Sequence, residues 1–308
     1  MKERLKYVTK DKKDPRDKIM THAKIDEEAS KAIPPMYSLI EDYSGIENQY
    51  SVGSCVANAT VTALEIMGRR SDINFELSRL YVYYFARALA TDKVVDKGTT
   101  LRSGFKSINY KGVCDEEYWV YDRKMKNVKP SKEAQLLGKD NLVVEYERLL
   151  VKSDYGLKMI KFSLLQGTPV TFAINIGKKF YRLRGELESQ NYTAVNDTDN
   201  KSVGNHAMTI VGYDDELGGF IIQNSWGKRW GYNGTFLLKY DVFKQNTFDA
   251  WRCTNFVYED IEIRPIEIGN YSEYDIGMCS NIFCTAWRYV VKLVYTAVRS
   301  IKNLFGIE

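Results

Sequence analysis

The apolar residues of this chain change their period part-way along it, and that switch restricts the fold more than any other feature. From Cys55 onward, Val56, Ala59, Ala63, Ile66 and Met67 recur at helical spacing, which predicts a helix of about three to four turns ending near Gly68. The aromatic-rich stretch LSRLYVYYFARALA (residues 77–90) predicts a second helix in the same lobe, and residues 100–110 a third. Residues 112–139 read as a loop folded over a surface. Further on, residues 168–176 (TPVTFAINI), 207–213 (AMTIVGY), 219–223 (GFIIQ) and 235–240 (TFLLKY) are β-rich runs bounded by glycines and polar turns. Helices followed by antiparallel strands predict an α+β protein of two lobes with a cleft between them.

Both ends differ from this body. Residues 1–32 are charge-rich with little aliphatic periodicity, which suits an extended, solvated segment better than core. Pro34 and Pro35 then mark a boundary, because each restricts the preceding residue to extended backbone. At the other end, residues 282–305 laid out at helical spacing place Trp287, Val290, Val291, Val294, Val298, Ile301 and Phe305 on one face. Arg288, Lys292, Arg299 and Lys302 fall on the opposite one. The division is therefore an N-terminal segment (1–32), a main domain (33–260) and an extension with an amphipathic basic helix (261–308). That helix docks either on the body or in a membrane interface with anionic headgroups, a peripheral membrane contact.

A chain of 308 residues is long enough to bury a substantial core. The net charge of +4 gives no nucleic-acid footprint, since the basic residues are not clustered with aromatics. No apolar segment follows the N-terminus, so a signal peptide is not expected, and no run of about 18 apolar residues suggests a membrane span. Five widely spaced cysteines then suit reduced thiols and an intracellular, cytoplasmic setting rather than a disulfide framework. No paired metal-ligand spacing occurs, so neither metal nor organic cofactor is expected.

One of those cysteines stands apart. Cys55 lies in NQYSVGSCVAN, at a glycine-flanked junction between loop and helix, where the helix's unpaired N–H groups favour a thiolate. Six residues earlier, the Gln49 amide is the kind of donor an oxyanion hole needs beside the backbone N–H of the nucleophile. The chain has two histidines, His22 in the N-terminal segment and His206 before an apolar strand, and only His206 suits a base. Asn224, leaving the next strand in IIQNSWGKRWG, carries an amide carbonyl able to fix the orientation of that ring. Taken singly, these are ordinary residues: a buried thiol, a strand-edge histidine, a turn asparagine.

Taken together, the order Gln, Cys, His, Asn, with about 150 residues between cysteine and histidine, resembles the papain-like cysteine peptidases. The resemblance runs over residues 33–258 and is carried by NQYSVGSC, KGVCDEEYWVYD, GNHAMTIVGYD and IIQNSWGKRWGYNGTFLL. It implies a two-lobe fold with a helical lobe and an antiparallel sheet or barrel lobe, the cleft between them, and protein or peptide substrates. By the same resemblance Cys55 is the nucleophile, His206 the base, Asn224 its orienting partner under Trp226, and Gln49 the oxyanion donor. Gly98 is then a contact for the substrate backbone, and Ala173 and Ala207 line the main specificity pocket. Residues 1–32 occupy the place of a propeptide. They are too short for a helical inhibitory domain but long enough for an extended strap. Two positions depart from the family's usual stretch: Val52 replaces a cysteine three residues before the nucleophile, and Val56 an aromatic just after it. The first change removes a disulfide typical of secreted and lysosomal members, in keeping with the absence of a signal peptide; the second points to a divergent microbial or viral branch, with packaging in a virion open if the source is viral. Two rivals remain, a catalytically silent interaction protein and an acyl or amide transferase with the same Cys-His machinery; the intact set of four residues argues against silence.

Overall fold

Among the described residues, four helices are started by a serine or threonine side chain that accepts an N–H of the first turn, each worth about 1 kcal/mol. These caps are Ser78, Thr100, Ser131 and Ser153. The exception among the longer helices is the one that begins at Cys55, which has no side-chain cap. In the computed structural model, which describes residues 8–21, 33–42, 45–182 and 203–266, the helices of the first half are α1 (Cys55–Arg70), α2 (Arg79–Ala88), α3 (Leu101–Lys111) and α4 (Lys132–Leu137). The second half adds α5 (Asp154–Leu165) and α6 (Tyr240–Asn246).

Helix α1 is buried from Cys55 to Gly68, so it is a central element rather than a surface one. Its polar side chains are accommodated by specific partners. Glu65 accepts Arg79 Nη2 at 2.8 Å and the Leu77 amide at 3.0 Å, pairing two charges that would otherwise be costly to bury. Gly104 of α3 faces Thr60 and Val56 so closely that an added Cβ would lie 2.8 Å from each, which brings the two helices into backbone-close contact.

The strands are β1 (Met36–Ser38), β2 (Leu142–Arg148), β3 (Val170–Ile176), β4 (Gly204–Asp214), β5 (Gly219–Gln223), β6 (Thr235–Lys239), β7 (Thr247–Tyr258) and β8 (Ile261–Ile263). They form one antiparallel sheet in the order β2-β7-β3-β4-β5-β6, with β1 on β4 and β8 on β7. The path is open, so this is a sheet and not a closed barrel. Neighbouring residues of β3 and β4 alternate between two cores. Phe172, Ile174, Met208 and Ile210 join one core with α5, while Ala173 and Ala207 join the other with α1, α2 and α3.

Several expectations need adjustment. The stretch expected to be loop contains α4 and two 3-10 turns, Glu116–Tyr118 and Arg123–Met125. Strands β2 and β7 and helices α5 and α6 were not anticipated. The N-terminal segment is not simply solvated: Val8 is fully buried, and Met20 and Asp11 nearly so. The amphipathic helix of residues 282–305, the pair Cys279 and Cys284, and His22 lie outside the described residues. No helix among the described residues is long and apolar enough to cross a membrane.

Residues 8–21 run as a strap over the body. Val8 forms a parallel bridge with Thr99, and the Thr9 amide donates to the Thr99 carbonyl at 3.0 Å. Ile19 bridges Arg148 in the same sense, with hydrogen bonds from Met20 N to Arg148 O and from Arg148 N to Lys18 O. Between these anchors Arg102 clasps Asp17 through Nε at 2.7 Å and Nη2 at 2.6 Å, and its backbone N–H donates to Asp11 at 2.9 Å.

Candidate active site

The nucleophile candidate owes its setting to the missing cap of α1. With no side chain taking the first-turn N–H groups, the Cys55 sulfur lies where the amides of Cys55 and Val56 reach it, and the Ala207 amide reaches it from β4. Those donors favour a thiolate. Burial works against them and is the larger effect, since Cys55 is wholly inaccessible and its thiol is pushed up to about 12. Burial thus opposes the thiolate that the helix-start position favours.

The histidine arrives from the opposite wall. The antiparallel register of β3 and β4 sets His206 across from Ile174 and Asn205 across from Asn175. His206 Nε2 lies 2.7 Å from Asn224 Oδ1. The same oxygen accepts the Ser225 amide at 2.8 Å, which identifies it as the carbonyl side of the Asn224 amide. An acceptor there requires a hydrogen on Nε2, so Nδ1 is the basic nitrogen of the neutral ring. Trp226 stacks on the imidazole with centroids 4.6 Å apart, and Phe180 packs edge-on to Trp226 at 5.3 Å. The hydrogen bond between His206 and Asn224 is thus shielded from water, and both residues are buried.

Gln49 belongs to a loop stitched to the strand exit that carries Asn224. Its amide donates to the Ser225 carbonyl at 2.8 Å, its Oε1 accepts Ser225 Oγ at 2.7 Å, and Asn48 bridges Trp226. Its Nε2 donates to the Val52 carbonyl at 2.9 Å; an amide nitrogen carries two hydrogens, so a second remains for an oxyanion. Tyr121, from the stretch read as loop, adds a brace that sequence inspection did not single out. Its hydroxyl lies 2.6 Å from Ser54 Oγ and donates to the Gln49 carbonyl at 3.2 Å, tying the residue before the nucleophile to the oxyanion loop.

The expected substrate-binding residues also gather here. Gly98 has φ +75°, a conformation that favours glycine, and the next residue, Thr99, is the one that pairs with Val8. Ala173 and Ala207 are paired across β3 and β4, both buried, and share a hydrophobic cluster with Val8, Val52 and Cys55. On the other wall Asn205 Nδ2 donates to the Val8 carbonyl at 3.3 Å. Val8 is therefore held from both sides, by the segment after Gly98 and by the residue before His206. Among the described residues no group of three or more His, Cys, Asp or Glu side chains is arranged to hold a metal ion.

The description "papain family cysteine protease" matches residues 40–250, more than half of the chain. The chain belongs to the papain family of cysteine proteases. Among its relatives, a peptidase C1-like protein of Acanthamoeba polyphaga mimivirus is 34% identical over 199 residues, covering 63% of this chain and 63% of that protein. Bovine pro-cathepsin H is 29% identical, over 63% of this chain and 55% of its own length. The chain thus spans less than two thirds of these relatives. Among solved structures, xylellain, a cysteine protease from Xylella fastidiosa, superposes with a TM-score of 0.70 at 26% identity, over 80% of this chain and 95% of that one. The papain-family fold accounts for the combination of a helical part and an antiparallel sheet.

Proposed function

We propose that the chain is a thiol endopeptidase that cleaves peptide bonds through Cys55. His206 Nδ1 takes the thiol proton before attack, so Cys55 stands as a thiolate beside the imidazolium; its sulfur then attacks the substrate carbonyl carbon, and Gln49 Nε2 with the Cys55 amide donates to the oxyanion. The carbon–nitrogen bond breaks as the imidazolium returns its proton to the leaving amine. Water, deprotonated by His206, then hydrolyses the thioester and restores the thiol. Asn224 and Trp226 hold the ring for both transfers. Gly98 pairs with the substrate backbone, and the small side chains of Ala173 and Ala207 leave room for a bulky apolar side chain of the substrate. The observation that carries this reading is the 2.7 Å contact between His206 Nε2 and Asn224 Oδ1 beneath Trp226, on the strand whose next amide reaches the Cys55 sulfur.

The same reading makes residues 8–21 an inhibitory strap, because Val8 is held by both walls of the cleft and Cys55 is fully covered. The enzyme is then made latent, and the thiolate forms once the strap leaves and water returns. Treating the full chain with an epoxysuccinyl peptide and weighing the product tests the nucleophile. One adduct is expected on the wild type, faster after the strap is weakened, and none on Cys55→Ala. An adduct that persists on Cys55→Ala would refute the assignment.

A further inference from the structure

Two backbone positions frame the nucleophile: Gly53, two residues before Cys55, and Gly98, which leads into the segment holding Val8. A chain of hydrogen bonds joins them through two side chains. The Gly53 amide donates to Asp96 Oδ1 at 2.9 Å. The Tyr83 hydroxyl donates to that same oxygen, and in turn accepts the Gly98 amide at 3.2 Å. A carboxylate oxygen has lone pairs for two donors, and hydrogen bonds to a charged acceptor are roughly twice as strong as neutral ones.

Tyr83 is well fixed for this task. It is fully buried on α2, and burial raises its phenol above the ordinary range, so it stays a donor. The Arg87 guanidinium lies 3.6 Å from its ring centroid and donates through Nε to the Tyr83 carbonyl at 2.8 Å, locking ring and backbone one turn apart. The linkage lies next to Val52, the position where the family's usual stretch carries a half-cystine. A hydrogen-bonded tether needs no oxidant to form and is indifferent to reductant.

We propose that Asp96, seconded by Tyr83, is a positioning residue that sets the nucleophile loop against the substrate-binding glycine, a role resting on the peptidase reading above. Asp96 acts on the Gly53 end, where the Cys55 amide must aim at the oxyanion, and Tyr83 carries the constraint to Gly98, where the substrate backbone pairs. Loss of Asp96 therefore affects both ends, and loss of the Tyr83 hydroxyl affects the Gly98 end alone.

The test uses the full chain carrying Asp17→Ala, which loosens the strap, as parent for Asp96→Ala, Asp96→Asn and Tyr83→Phe. Cys55 is modified in parallel with a peptidyl epoxysuccinate, which needs the subsites, and with iodoacetamide, which does not. Asp96→Ala is expected to slow the peptidyl reagent about tenfold or more while iodoacetamide stays within about twofold of the parent. Asp96→Asn keeps an oxygen acceptor for Gly53 and Tyr83, so it should recover to within about threefold of the parent. For peptide hydrolysis, Tyr83→Phe should raise KM by about fivefold with little change in kcat. Equal slowing of both reagents by Asp96→Ala, an Asp96→Asn as impaired as Asp96→Ala, or an unchanged Tyr83→Phe would overturn the role while leaving the peptidase intact. A parent that accepts neither reagent would overturn both.

Discussion

Removing a single carboxylate from the strap, by Asp17→Ala, tests the proposed inhibition separately from catalysis. Asp17 accepts from Arg102 Nε and Nη2 at 2.7 and 2.6 Å, and Arg148 Nη1 stands 3.5 Å away. The pair is largely withdrawn from solvent, with 7% of the Asp17 side chain and 16% of the Arg102 side chain accessible. Breaking a buried pair costs about 3–5 kcal/mol, because the stranded partner loses both its hydrogen bonds and its hydration. Here the stranded cations keep other partners, Asp11 for Arg102 and Asp249 for Arg148, so about 2–3 kcal/mol is appropriate. All of that loss falls on the docked state, since the undocked strap makes none of these contacts. The open population should then rise about 30- to 150-fold. If Cys55 reacts only when the strap is off, its alkylation rate rises by the same factor, up to the rate of the fully open enzyme. Mass spectrometry over time gives that rate, and circular dichroism checks that the fold is kept. A folded Asp17→Ala protein alkylated at the wild-type rate would refute strap inhibition.

Other perturbations reach different parts of the site. Burial, with the nearby Asp11 carboxylate, raises Asp249 to about 7, although Arg148 opposes the shift. If release of the strap, and of Asp11 with it, returns Asp249 towards an ordinary carboxylate, docking weakens as pH rises through the carboxylate range towards 7. Asp249→Asn should remove that component from the pH profile of Cys55 labelling; a profile identical to wild type would contradict it. Gln49→Ala should lower kcat for peptide hydrolysis by about 10²-fold with little change in KM, and a loss confined to KM would argue against an oxyanion role. Glu65→Ala leaves Arg79 without its closest partner and should cost about 3 kcal/mol in a denaturant melt, whereas an unchanged midpoint would show that Glu47 and Glu116 suffice.

The parts of this molecule that were legible in the sequence are those whose residues have few bland uses. Cys55, His206 and Asn224 stood out because histidine is scarce and a glycine-flanked cysteine at a helix start has a chemical purpose. Helices α1 to α3 were legible because their apolar spacing is local. Strand β7 was not, because Asp249, Arg252 and Asn255 interrupt its pattern and yet are buried. Arg252 can be there only because Glu147 of β2 and Gln166 meet it, at 3.1 and 2.7 Å, and nothing local announces partners so distant in the chain. Strand β2 was hidden by the same pairing. The strap's position was foreseen but its contacts were not: Val8 and Met20 are isolated apolar residues in a charged segment, and their burial follows from Thr99, Asn205 and Arg148. Tyr121 was obscured by distance, as its hydroxyl acts on residues some seventy positions earlier.

The central claim is that Cys55, with His206 and Asn224, turns over peptide bonds. It is tested most directly by the steady-state hydrolysis of a fluorogenic peptide with an apolar specificity residue, by the Asp17→Ala chain with and without Cys55→Ser or His206→Ala. Turnover by the parent is expected, with kcat reduced by at least about 10³-fold in either double variant. Undiminished hydrolysis in Cys55→Ser or in His206→Ala would contradict the account.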